Sequence, residues 1–224
     1  LETLVEEQND ELKKAQSKLL QRERLTVLGK LTATVSHELR NPLGTIQSAL
    51  FTIDDSLAKN KPQQATRSLE LAERSIERCV NIIEDLNNFT RVKKLDIAKV
   101  SVDDWLEAVV NEQDIPEGIS CELELSSGIE ALFDQEKLRQ ATVNIINNAV
   151  HALQEIHSGR QSLHIATHLL DGHYDLRFAD SGTVMSDDTK EKVFEPLYST
   201  KGFGVGLGMV IVKNIVEQHC GEII

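Results

Sequence analysis

Three cysteines in 224 residues, Cys79, Cys121 and Cys220, stand far apart with no CxxC pair. That spacing speaks against a zinc site or a disulfide framework and leaves reduced thiols. No apolar run approaches the roughly 18 residues needed to span a bilayer, and no signal-peptide pattern is present. Positive charge is in deficit. Twenty-four Lys and Arg against 36 Asp and Glu give a net charge of −12, which argues against a nucleic-acid partner. Neither GxGxxG nor GxxxxGKS/T occurs, so neither the dinucleotide fold nor the P-loop is indicated. Helix breakers are scarce in residues 1–58, which hold only Pro42, Gly29 and Gly44. The chain opens on Leu1 and stops at Glu222-Ile223-Ile224 in mid-pattern, the mark of a fragment.

What is present begins with helices. Val5, Gln8, Leu12, Ala15 and Leu19 fall at a/d spacing amid Glu, Lys and Gln, which predicts a coiled coil over residues 1–27. Leu28, Leu31, Val35, Ile46, Leu50, Ile53 and Leu57 carry an apolar stripe onward. AKNKP (58–62) is a turn that puts Pro62 at the first position of a second helix, with the stripe Leu69, Ile76, Val80, Ile83 and Leu86. A lone hairpin cannot bury both stripes, so residues 28–93 are expected to dimerise into a four-helix bundle.

The texture changes near residue 94. A linker over 94–100 that includes strand-like residues leads to a second domain over 101–224. Its expected elements are a helix capped by Ser101, strands at 119–125, 162–170 and 173–179, and helices at 134–156 and 208–219. The fold class is multidomain: an all-α hairpin preceded by a coiled coil and followed by an α+β unit.

Four stretches carry chemistry. VSHELRNPL (35–43) sets His37 and Glu38 beside a proline that removes a backbone bond inside a helix, at a cost of about 3 kcal/mol. In ATVNIINNAVHAL, Asn144 and Asn148 share a helix face, and an amide oxygen suits Mg²⁺; a solvated polar face is the plainer alternative. YDLRFADSG delivers Asp180 to a strand end, where it serves either an adenine amino group or a turn. In STKGFGVGLGM, glycines 202, 204, 206 and 208 offer bare N–H groups and a helix N-terminus to phosphates; a flexible loop is the alternative.

SHELRNPL, NIINNA, DSG, FEPLYSTK and GVGLGM, in this order, resemble the sensor histidine kinases of two-component systems, from about Leu25 to Glu222. The resemblance implies that 101–224 is a Bergerat-type ATP-binding sandwich, with ATP and Mg²⁺ as cofactors. It implies that His37 is the phosphoacceptor and Glu38 its general base or orienter. Asn41 would position water for dephosphorylation of a response regulator receiver domain. Asn144, Asn148, Asp180, Gly182, Lys201, Gly204, Gly206, Leu207 and Gly208 would bind the nucleotide, with Asn148 as the metal ligand. Phe194 to Lys201 would belong to a lid. A cytoplasmic homodimer is expected, its upstream sensor domain lying outside this chain.

Two departures from the family stand out. Val184 occupies a place usually held by glycine, where it is expected to crowd the nucleotide or strain the loop. The strands that follow GEI in the family are expected to be missing. Two rivals therefore accompany the kinase reading: a phosphatase-dominant enzyme, and a dimeric scaffold deficient in nucleotide binding.

Overall fold

The computed structural model describes residues 2–90, 94–126, 128–156, 159–170, 172–200 and 205–224; in the first helix, side chains are described from Thr32 onward together with Thr26 and Gly29. The chain divides into two compact units, Leu1–Lys93 with Glu195–Leu207, and Lys94–Phe194 with Gly208–Ile224.

The first unit is a hairpin of α1 (Glu2–Ala58) and α2 (Pro62–Thr90). Scarcity of helix breakers lets α1 run unbroken for 57 residues, through positions 27 and 28 and through Pro42. Pro42 has no N–H, so the Glu38 carbonyl lacks its usual donor four residues on. The turn closes as a Schellman motif: Asn60 N–H donates to Leu57 O and Lys61 N–H to Ser56 O. Asn60 takes the left-handed position at φ 54°, which asparagine tolerates, and Pro62 starts α2 as expected.

Small residues line the seam between the helices. Ala49 and Ser56 of α1, with Ala65, Ala72 and Ser75 of α2, are buried and let the backbones approach; Pro42, Ile82 and Phe89 are buried as well. The stripes expected to face the core of a four-helix bundle lie on another face. Leu69, Ile76, Val80 and Ile83 stay exposed in the single chain, as do Leu50 and Leu57 on α1.

The second unit is α+β. In chain order it contains β1 (Ala98–Ser101), α3 (Val102–Asn111), β2 (Ser120–Leu125), β3 (Glu130–Phe133), α4 (Gln135–Gln154), β4 (Ser162–Leu170), β5 (His173–Asp180), α5 (Asp187–Lys192) and α6 (Gly208–Gln218). β1 pairs antiparallel with β3; β4 pairs parallel with β2 and antiparallel with β5. The β4–β5 register, Leu163 opposite Asp180 and Leu170 opposite His173, follows from the hairpin at Gly172, whose φ is 82°. Among the described residues β5 is paired on one side only. Leu106, Ile146, Leu153, Leu163 and Ile165 form the buried centre, and Trp105 meets Phe133 edge to face with ring centres 5.0 Å apart.

One local expectation needs correction. Ser101 sits at the α3 N-cap, yet its hydroxyl makes no capping bond; the Val102 N–H donates to Ile129 O instead. α4 is capped in the usual way, Asp134 accepting from Lys137 N–H at 3.0 Å and also from Asp96 N–H at 2.8 Å. Burial alone would raise the Asp134 carboxyl; these backbone donors bring it below its ordinary value.

Candidate functional site

His37 lies on α1 with its side chain 68% exposed. Its Nδ1 faces Glu38 Oε1 at 3.8 Å, longer than a hydrogen bond but of the order found in unliganded catalytic sites. The Nε2 edge is thereby the one left for a reaction partner. Glu38 itself is only 17% exposed, and its Oε2 accepts from Arg78 Nη2 on α2 at 3.0 Å. Nothing in the sequence flagged Arg78, because its partner lies forty residues away and no local spacing links them. One turn beyond His37, Asn41 borders an open groove of about 470 Å³ with Thr45, Ser48, Thr52 and Ser68. Thr45 donates its hydroxyl to the Asn41 carbonyl at 3.2 Å. Gly44, Ala49 and Leu71 complete the lining of this half-polar groove, one turn along α1 from His37.

In the second unit α4 acts as a spine. Asn144, Asn148 and Ala152 follow at intervals of four and so share one face, spanning about 12 Å at 1.5 Å per residue. At one end the Asn144 amide donates to Gly208 O at 3.4 Å, which ties α4 to the start of α6. At the other end, Gly182 lies over Ala152. A Cβ on Gly182 would stand 2.8 Å from Ala152 Cβ and 2.5 Å from Asp180 Oδ1, so no larger residue fits. The Gly182 N–H donates to Asp180 Oδ1 at 2.8 Å, while Oδ2 makes no hydrogen bond among the described residues. The turn role and a ligand role for Asp180 are thus compatible, one for each oxygen. Asn148 sits between the two ends, half-buried.

Ser181 was not singled out from the sequence, although it stands inside DSG. Its hydroxyl accepts from Ser162 N–H at 3.0 Å and donates to Arg160 O at 2.7 Å, which fastens the end of β5 and aims Asp180. At 208, by contrast, a Cβ would meet only Asn144 atoms at 3.9 Å, so space among the described residues does not demand glycine there.

Lys201 and Gly204 lie outside the described residues. Gly206 and Leu207 belong to the segment Glu195–Leu207. There the Leu197 N–H donates to Gly206 O at 3.1 Å, and a Cβ on Gly206 would come within 2.6 Å of Tyr198 O. Gly206 has φ 68° and Leu197 φ 69°, a left-handed conformation that costs a leucine roughly 1–2 kcal/mol. Leu207 is fully buried. The strain expected at Val184 is absent: the residue is 84% exposed and is not among the described residues with positive φ, so the loop accommodates valine without strain.

Comparison with known proteins adds independent observations. Residues 27–94 match the His Kinase A (phospho-acceptor) domain, and residues 133–224 match the histidine kinase-, DNA gyrase B-, and HSP90-like ATPase domain. Sensor histidine kinase ZraS of Klebsiella oxytoca is 31% identical over 218 residues, covering 94% of this chain and 46% of that protein. Sporulation kinase B of Bacillus subtilis is 28% identical over 215 residues, covering 92% of this chain and 48% of that protein. The chain therefore spans just under half the length of these two curated relatives. Among solved structures, histidine kinase ThkA in complex with response regulator protein TrrA has a TM-score of 0.71 at 23% identity, covering 94% of this chain and 61% of the other. Histidine kinase AdeS of Acinetobacter baumannii has a TM-score of 0.61 at 20% identity, covering 81% of this chain and 86% of the other. At those identities the two structures speak for the fold alone. Both domain models fall on one chain, in order, with the histidine in the first and the α4 spine in the second; the protein belongs to the sensor histidine kinases and carries their catalytic core.

Proposed function

We propose that this chain autophosphorylates His37 from ATP and passes the phosphoryl group to an aspartate on the receiver domain of a response regulator. The observation that carries the reading is the exposed imidazole of His37 with the Glu38 carboxylate fixed on its Nδ1 side. In the step proposed, Nε2 attacks the γ-phosphorus, the N–P bond forms as the bond to ADP breaks, and Glu38 accepts the hydrogen bond from Nδ1. Phosphoryl transfer depends mainly on position and charge neutralisation, so a pre-aimed nucleophile contributes directly.

For the nucleotide, Asp180 Oδ2 would accept from the adenine amino group, and the start of α6 would receive phosphates. Asn148 between them would lend its amide oxygen to Mg²⁺. Such an ion would be carried largely by phosphates and water. When bound, Mg²⁺ supplies neutralisation of the phosphate charge. Asn41, lining its polar groove, would aim a water at the phosphoaspartate of the regulator and so support dephosphorylation. A homodimer buries the stripe that the single chain leaves open. No described helix is long and apolar enough to cross a membrane, and the proposed setting is the cytoplasm, downstream of a separate sensor domain.

The test is labelling with γ-labelled ATP. The parent should acquire acid-labile, base-stable label and His37→Gln should acquire none. Label persisting at the parent level in His37→Gln would overturn the assignment. An Asn148→Asp variant should fold and dimerise as the parent does, yet bind Mg-ATP more weakly in calorimetry.

A further inference from the structure

Adjacent residues on a helix point about 100° apart, so a glutamate does not face the histidine before it by helical geometry alone. In this protein Glu38 nevertheless presents Oε1 toward His37 Nδ1 at 3.8 Å. The other half of the same carboxylate is held from across the hairpin, where Arg78 Nη2 donates to Oε2 at 3.0 Å. The three side chains form a graded series. Arg78 is 33% exposed, Glu38 17% and His37 68%, so the anchored pair sits in the hairpin and the imidazole stands out of it. Arg78 is itself placed by its neighbours on α2, since Ser75 before it and Ile82 after it are both buried. A carboxylate is planar and rigid; fixing Oε2 from α2 fixes where Oε1 points.

We infer that Arg78 is a positioning residue for phosphorylation of His37, acting through Glu38. The inference rests on the reading of His37 as phosphoacceptor. In the step concerned, Nε2 forms its bond to phosphorus as the oxygen of ADP departs, and positive charge develops on the ring. The Nδ1 proton is then shared with, or passes to, the Glu38 oxygen that Arg78 has aimed. Without the arginine, Glu38 samples rotamers directed away from the ring, and the fraction of encounters with an aligned acceptor falls. ATP affinity does not depend on this contact.

The experiment measures the initial rate of label incorporation against ATP concentration, on the full chain, for a double-mutant cycle of Arg78→Gln and Glu38→Gln. On the parent background Arg78→Gln should lower kcat by about ten- to a hundredfold with KM for ATP unchanged. On the Glu38→Gln background the same change should cost nothing further. Arg78→Lys should recover part of the rate, because it keeps the charge and one donor at the same place. If Arg78→Gln fails to fold by circular dichroism, Arg78→Lys carries the same cycle: an intermediate rate alone and no added loss beside Glu38→Gln. Losses that simply multiply in the double variant, or a loss expressed in KM alone, would overturn the inference while leaving His37 in place. A parent chain that takes no label would remove the reading of His37 and this inference together.

Discussion

At the scale of single residues, Asp85 of α2 carries a carboxyl that works against its ionised state. Burial, and secondarily the neighbouring Glu84, push Asp85 up to about 6. Its folded value thus lies above its unfolded one, and the folded state holds the extra proton between about pH 4 and 6. The stabilisation is full at the acid end of that window and is lost as pH rises through 6. Asp85→Asn should therefore raise stability at pH 7.5 by on the order of 2 kcal/mol and change little at pH 4. Equal gains at both pH values in denaturant unfolding would refute the account. Much of the candidate site was proposed at this scale, because His37, Asn148, Asp180 and Gly182 each stand in a stretch whose residue types suggest that chemistry. The strain expected at Val184 did not arise, because a residue type does not by itself imply a backbone conformation; the loop does not enter positive φ there. Arg78 was invisible because its meaning is a contact between helices.

At the scale of elements, helices, hairpins and the strand-like residues of β1 followed their sequence signals, whereas β3 and α5 did not. The stripes and the breakers gave α1, α2, α4 and α6 to within a few residues, and Gly172 gave the β4–β5 hairpin. β3 has four residues and α5 six, too few for a period to show. The apolar pattern on α2 marked real apolar residues but not which face meets α1, since alanine and serine make that seam. The two helix ends repeat one device. α6 also closes as a Schellman motif, with Cys220 N–H donating to Glu217 O and Gly221 N–H to Val216 O. Here, however, the left-handed place falls on Cys220, at φ 60°, and the glycine stands one residue later. Cys220→Gly should relieve that conformation and stabilise the ATP-binding unit by about 1 kcal/mol. A melting temperature that falls would show instead that chain entropy or a lost thiol contact outweighs the relief.

At the scale of the whole molecule, the open apolar face is the feature that demands a partner. Leu50, Leu57, Ile76, Val80 and Ile83 remain exposed on the hairpin, and burying such side chains is worth about 1.5–3 kcal/mol each. Ile76 discriminates well, because it is 50% exposed in the single chain and contributes little to the seam within it. Ile76→Asp should leave the hairpin folded yet place an unpaired charge in the bundle interior, shifting the protein toward monomer. Light scattering that finds the parent monomeric would refute the bundle itself. The unbroken course of α1 has a mechanical consequence as well. A helix of 57 residues with no breaker before His37 other than Gly29 behaves as a stiff shaft of about 85 Å. A twist applied at its first turns arrives at His37 as a change in the direction of the imidazole. If His37 takes the phosphoryl group as proposed, its reactivity becomes a function of angle, with the period of the helix.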